Sequence, residues 1–298
     1  MASGLPGFGK DRIETNGVVL SVHRAGAGRP LVLLHGYPQN HMCWEKVAPR
    51  LAETFDVIVP DLRGYGESDA PSDDSRHETY SKRTMAADIA GLLDVLGIGR
   101  AHVLGHDRGW RVAYRMALDH PGRVDRLGII EIVPTIEFWD AWSADLALKA
   151  YHWTFLAQPA PLPERMIGAD PVAYIDWTLS GWTREKSLAA FSPEALESYR
   201  AQACDPVRIA AMCADYRAGA SIDRALDAAD REAGRRIAAP LHFLWAEGGF
   251  PAQTGQPAGI WRRWAEHVTD GSCVSGHFAM EENPQAVLDA FLPFFTAR

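Results

Sequence analysis

Short apolar runs alternating with amphipathic stretches set the rhythm of the first 133 residues. Residues 17–24 and 30–34 read as strands, the second running into His35-Gly36-Tyr37-Pro38. Residues 55–60 form another apolar run, followed by Asp61-Leu62-Arg63-Gly64-Tyr65-Gly66-Glu67-Ser68. Met85, Ile89, Leu92, Leu93 and Leu96 fall at helical spacing and Gly97 closes that helix. Residues 100–104 suit a buried strand. Residues 110–120 lack Gly and Pro and stop at Pro121-Gly122, as a helix and its terminator do. Residues 124–133 read as a further strand. Strands alternating with helices imply a mostly parallel sheet flanked by helices, with ligands held outside the carboxyl ends of the strands.

The alternation breaks after Pro134. Residues 135–236 carry helical patterns and no convincing strand, and they include Trp139, Trp142, Trp153, Trp177 and Trp182. So much indole in one stretch implies a lid with something to cover. Strand patterns return at 240–245 and 267–274, and residues 284–296 read as a last helix. The expected organisation is an α/β core of residues 1–134 and 237–298 with a helical cap of residues 135–236 inserted.

The bulk composition narrows the field. At 298 residues the chain can hold one large domain with an inserted lobe. A net charge of −8 gives nucleic acid or anionic membranes no attraction as partners. Residues 1–10 lack the apolar core of a signal peptide, and no run approaches a membrane span. Cys43, Cys204, Cys213 and Cys273 are scattered without paired spacing, which fits reduced thiols in a cytoplasmic protein and gives no support to a metal site.

Gly105-His106-Asp107-Arg108-Gly109, between the 100–104 strand and the 110–120 helix, has the form of a nucleophile elbow with aspartate at its tip. A serine there must lose a proton as it attacks a carbonyl. A carboxylate is already ionised and can displace a leaving group from saturated carbon, leaving an alkyl-enzyme ester. That chemistry points to a carbon–halogen bond or an epoxide. Hydrolysing the ester needs a general base, and His277, in the Gly276-His277-Phe278 loop after the last strand pattern, stands where the chain order of such sites puts it. Glu131, ending the 124–133 run, and Glu247, just after the 240–245 run, are both placed to orient that histidine, and the residues alone do not separate them. Arg108 and Arg111 lie one helical turn apart, and two guanidinium forks beside a nucleophile suit an anionic substrate. Arg115 continues the row, but pairing with Asp119 accounts for it.

With these residues in place, the chain resembles the haloacetate (fluoroacetate) dehalogenase family of the α/β-hydrolase fold, over nearly its whole length. The fit runs through His35 to Asn40, Gly105 to Arg111, Pro134-Thr135, Tyr151-His152-Trp153, Gln158 to Pro161, Ile167 to Pro171, Asp215 to Gly219 and Gly276-His277-Phe278. The segments from the 135–236 region are the specific ones. The resemblance implies Asp107 as nucleophile, His277 as base and Glu131 as the acid, with Arg108 and Arg111 on the substrate carboxylate. It implies His152, Trp153 and Tyr216 as donors to the departing halide, and the backbone N–H groups of Tyr37 and Arg108 as an oxyanion hole. The expected substrate is a small anionic haloacid, the products are glycolate and halide, and no cofactor or metal takes part. A homodimer is implied as well. Three departures stand out: Glu131 replaces the family's usual aspartate, Trp110 is bulkier than the small residue expected there, and Tyr37 replaces a common phenylalanine.

Two other classes are compatible with parts of this pattern. An epoxide hydrolase would share Asp107 and His277 and would use Tyr216 with Tyr151, Tyr174 or Tyr199 to protonate the epoxide oxygen, although paired arginines do not suit a neutral epoxide. A ligand sensor on the same scaffold would bind without turnover.

Overall fold

A computed structural model describes residues 4–253 and 257–297, so the first three residues of the 1–10 segment lie outside the described part. The sheet starts with a hairpin that the apolar pattern did not announce. Strand β1 (Gly9–Thr15) pairs antiparallel with β2 (Val18–Ala25) around Asn16 and Gly17, both at positive φ (47° and 76°). An Asn-Gly pair turns this way because both central residues need left-handed backbone. β1 escapes a hydrophobic reading because Lys10, Asp11 and Arg12 are exposed on a sheet edge, where charge also discourages pairing with other chains.

The remaining strands are β3 (Arg29–Leu34), β4 (Phe55–Pro60), β5 (Ala101–His106), β6 (Val124–Ile130), β7 (Leu241–Ala246) and β8 (Val268–Cys273). The eight-stranded sheet has the order β1-β2-β4-β3-β5-β6-β7-β8, and all pairings beyond β2–β4 are parallel. β4 and β5 are buried along their entire length, as expected of parallel strands covered on both faces. Alternate residues feed two apolar layers. Val32, Leu34, Ile58 and Val103 pack toward α1 (Lys82–Val95) and α2 (Asp107–Asp119), whereas Leu31, Leu33, Val57 and Leu104 pack on the opposite side with Trp44 and Phe291.

Register decides what meets at the carboxyl edge. Leu34 lies opposite Gly105, His106 opposite Ile130, and Ile130 opposite Leu244. The segments that follow β3, β5, β6 and β7 therefore leave the sheet at one level, bringing residues 35–38, Asp107, Glu131 and Glu247 to one rim.

Between β6 and β7 come eight helices: α3 (Thr135–Asp140), α4 (Ala144–Lys149), α5 (His152–Leu156), α6 (Leu162–Ala169), α7 (Pro171–Trp182), α8 (Pro193–Ala203), α9 (Pro206–Ala220) and α10 (Ile222–Glu232). Three begin with a capping side chain followed by proline: Asp170, Ser192 and Asp205 accept from the N–H groups of Ala173, Ala195 and Val207. Each cap contributes about 1 kcal/mol, and proline at the first helical position is pre-set for the turn. The buried helix α9 packs against α5, α6, α8 and α10. The tryptophans divide between the cavity and the surface. Trp153 and Trp182 face the cavity described below, whereas Trp177 is 72% exposed and does not line it.

The chain finishes with α11 (Pro257–Trp264), β8, and α12 (Pro284–Thr296), whose bounds coincide with the apolar pattern. Among the described residues no helix is long and apolar enough to cross a membrane.

Candidate active site

The turn after β5 leaves no room for side chains at its two glycines. A Cβ on Gly105 would lie 2.7 Å from the Trp110 Cα, and one on Gly109 would lie 2.2 Å from the His35 carbonyl oxygen. Between them Asp107 takes φ +47°, a left-handed conformation rare for a non-glycine residue, and opens α2 directly; the helix starts there and not at residue 110. The consequence is a carboxylate raised off the sheet. Its Oδ1 accepts from the Tyr37 backbone N–H at 2.8 Å, and its Oδ2 lies 3.7 Å from His277 Nε2. Burial alone would raise this carboxyl, but His277, and behind it His106 and Arg108, hold it well below the usual carboxylate range. Asp107 is ionised at neutral pH.

His277 is held by its backbone. Its N–H donates to the Trp182 carbonyl at 2.9 Å, and its carbonyl is 2.8 Å from the His106 ring. The two candidate acids differ in burial. Glu131 is 5% exposed, sits just past β6 at φ +60°, and accepts from the Ala246 N–H. Burial pushes its carboxyl up to about 7, against the pull of that N–H and of His277. Glu247 is exposed and accepts from the Ser272 hydroxyl at 3.2 Å.

A cavity of about 750 Å³ opens over Asp107, lined by Arg111, Glu131, His152, Trp153, Trp182 and His277 among others. Arg108 and Tyr216 stand behind this wall. The Arg108 guanidinium lies 4.3 Å from the Tyr216 ring centroid and 5.5 Å from that of Trp153, which also lies 4.6 Å from the Arg111 guanidinium. Tyr216 meets His152 and Trp153 edge-on at 5.7 and 5.8 Å. Five buried polar atoms here have no hydrogen-bond partner: Arg108 Nη1, Arg111 Nε, His152 Nδ1, Tyr216 Oη and His277 Nε2. Each such atom costs about 1–3 kcal/mol, and three of the five, on Arg111, His152 and His277, belong to residues of the cavity wall, which favours a ligand there. Burial lowers His152 to about 3, so its ring is neutral. Tyr37 is buried with its hydroxyl donating to that of Tyr174 at 3.3 Å. Trp110 lies in the apolar layer against Trp261, ring centroids 5.0 Å apart, and off the cavity wall.

Residues 29–284 match the model of the alpha/beta hydrolase fold family. The chain belongs to that family. It is 39% identical to a fluoroacetate dehalogenase from Burkholderia sp over 278 residues, covering 93% of this chain and 90% of the relative. It is 35% identical to a soluble epoxide hydrolase from Corynebacterium sp. (strain C12), covering 94% of both. Among solved structures, a provisionally assigned alpha/beta hydrolase from Nostoc sp PCC 7120 superposes with a TM-score of 0.95 at 40% identity, covering 99% of this chain and 100% of that one.

The hydrolase thus holds an ionised carboxylate, an imidazole and a buried acid at one cavity, with unpaired polar atoms on both the core and the inserted helices. Sequence reasoning missed the residues that hold the arginines. Asp215 accepts from Arg108 Nε at 3.1 Å and again from its terminal nitrogen, and it also pairs with Lys82; the two cations hold its carboxyl down to about 2 against burial. Arg111 donates to the Thr135 hydroxyl at 2.9 Å, and Tyr114 links Thr135 to Asp227. Arg115 does reach Asp119 (3.4 Å), but Asp227 and Asp230 of α10 are its closer partners. The signal for Asp215 was present: a lone acid within the apolar Ile209–Ala218 stretch must find a buried cation.

Proposed function

We propose that this hydrolase is a dehalogenase of short 2-haloacids, converting fluoroacetate or chloroacetate to glycolate and halide. Asp107 attacks the carbon bearing the halogen. The carbon–halogen bonding pair leaves with the halide, and an aspartyl ester remains. Arg108 Nη1 and Arg111 hold the substrate carboxylate, while Tyr216 and His152, with Trp153 beside them, donate to the departing halide. His277 then takes a proton from water, and the hydroxide attacks the ester carbonyl. The Tyr37 N–H, already on Oδ1, and the orphan N–H of Arg108 in the first turn of α2 stabilise the oxyanion. Glu131 orients His277, a role that its burial favours over exposed Glu247. The tetrahedral intermediate collapses, the departing oxygen takes the bonding pair and the proton held by His277 to leave as glycolate, and the regenerated Asp107 carboxyl loses its proton to solvent.

The observation that carries this reading is the set of five unpartnered polar atoms, two of them on guanidiniums, around an ionised Asp107. Ion-selective detection of fluoride and chloride from matched haloacetates tests it. Absence of both ions at high enzyme concentration would sink it.

The epoxide reading draws support from the relative in Corynebacterium. Of the four tyrosines it would recruit, only Tyr216 keeps a buried hydroxyl without a partner, and Tyr199 donates to Glu281. Diol formation from epoxides without halide release would favour that reading. The dehalogenase reading carries with it a cytoplasmic location and a homodimer, and sedimentation at micromolar protein would test the second.

A further inference from the structure

The loop that carries His277 is gripped by one side chain outside the set discussed so far. Glu282 Oε2 accepts from the Gly276 N–H at 2.9 Å, and its Oε1 accepts from the Phe278 N–H at 3.0 Å. The residues on both sides of His277 are thus held by one carboxylate. The same Oε2 accepts a third bond, 2.7 Å, from the Arg184 N–H, just past α7 of the helical insertion. Two residues earlier, the Trp182 carbonyl accepts from the His277 N–H at 2.9 Å. The loop and the insertion touch backbone to backbone. A Cβ on Gly276 would lie 2.4 Å from the Arg184 nitrogen and 2.6 Å from the Trp182 oxygen, so only glycine permits this approach.

We propose that Glu282 is a positioning residue for His277: it ties the His277 loop to residues 182–184 and sets the distance of the imidazole from Asp107. Charge-assisted bonds from three backbone donors fix a loop far more firmly than neutral ones. The inference rests on the dehalogenase reading for its kinetic form. In that reading Asp107 attack needs no base, whereas hydrolysis of the ester does. Loosening Glu282 therefore harms the second step and spares the first. A shift of about 1 Å in a catalytic group costs on the order of 10²-fold in rate.

Rapid-quench halide release from chloroacetate, with intact-mass detection of the ester, tests the proposal in Glu282→Ala and Glu282→Gln. The alanine variant is expected to release one equivalent of chloride per site at close to the wild-type rate. Steady-state turnover then falls roughly 10²-fold and the ester accumulates. Glutamine keeps one carbonyl acceptor, for the Gly276 and Arg184 N–H groups, but loses the charge and the Phe278 bond, and is expected to recover part of the loss. An equal fall in burst and steady-state rates, or no fall in either, would overturn the assignment.

A second measurement needs no substrate. In protein labelled with ¹⁵N-histidine, the His277 ring resonance, identified by its loss in His277→Asn, is expected to move in Glu282→Ala and to return toward its original position in Glu282→Gln. An unmoved resonance overturns the role of Glu282 whether or not halide is ever released. Absent halide with a moved resonance leaves Glu282 in place and removes the dehalogenase reading instead.

Discussion

The two sides of the cavity are built on different principles. On the core side, each group is fixed by backbone geometry: Asp107 by its left-handed turn, Glu131 by a second positive φ at the next strand end, and His277 by bonds through its own N–H and carbonyl. On the insertion side, His152, Trp153 and Tyr216 are placed by ring contacts on one another and on Arg108 and Arg111. Backbone turns and backbone hydrogen bonds leave the core-side groups little freedom of position. Packing can be redrawn by substitution without breaking a chain turn, so the insertion side is where substrate choice resides.

This contrast is open to attack. The largest effect is expected from Asp107→Asn, which keeps the turn but removes the nucleophile: halide release falls by at least about 10⁴-fold. Full-rate turnover, after deamidation has been excluded by mass, would end the account. His277→Asn comes next, with steady-state turnover down on the order of 10³-fold while one equivalent of halide is still released and the ester is trapped. On the insertion side, Tyr216→Phe is expected to slow the first step by about 10- to 100-fold for fluoroacetate and less for chloroacetate, because fluoride is the stronger hydrogen-bond acceptor. Equal losses for the two halides would remove Tyr216 from the leaving-group site.

The last effect concerns stability before rate, through Glu131 and pH. Burial raises its carboxyl to about 7 from 4.5, so its protonated form is favoured in the folded state. Its contribution to stability is fully present below pH 4.5 and is lost as pH rises through about 7. The loss amounts to on the order of 3 kcal/mol. Denaturant unfolding of Glu131→Gln, which stays neutral, should therefore gain on the wild type between pH 5 and pH 8. The same titration has a kinetic side: turnover should fall as pH drops through about 7 and Glu131 loses the charge that orients His277. Parallel stability curves for the two proteins would show that Glu131 ionises freely.

How much of this was legible in the sequence follows the same division. The elbow read cleanly because its five residues are contiguous, and the first glycine answers to a local contact at Trp110, although the second answers to distant His35. The last helix read cleanly because Val287, Leu288, Phe291 and Phe295 mark its buried face. Strand β1 did not, since an exposed edge has no apolar face to display, and only Asn16-Gly17 hinted at it. Glu131 and Glu247 follow adjacent strands, and what separates them is which one the chain turns inward, a tertiary matter. The partners of the arginines were hidden for a similar reason. Asp215 and Asp227 lie more than a hundred residues from Arg108 and Arg115, and only folding brings them together.

The left-handed backbone at Asp107 has an evolutionary side. At such a φ a β-branched side chain meets its own carbonyl and is excluded, whereas any residue with a single heavy atom on Cβ fits. Gly36 adds to the restriction, since a Cβ on it would lie 2.4 Å from that of Asp107. Mutation at this bend can therefore trade aspartate for serine or cysteine, changing the reaction outright, but threonine or valine has no way in. One torsion angle lets a single scaffold exchange its reagent while refusing a branched one at that spot.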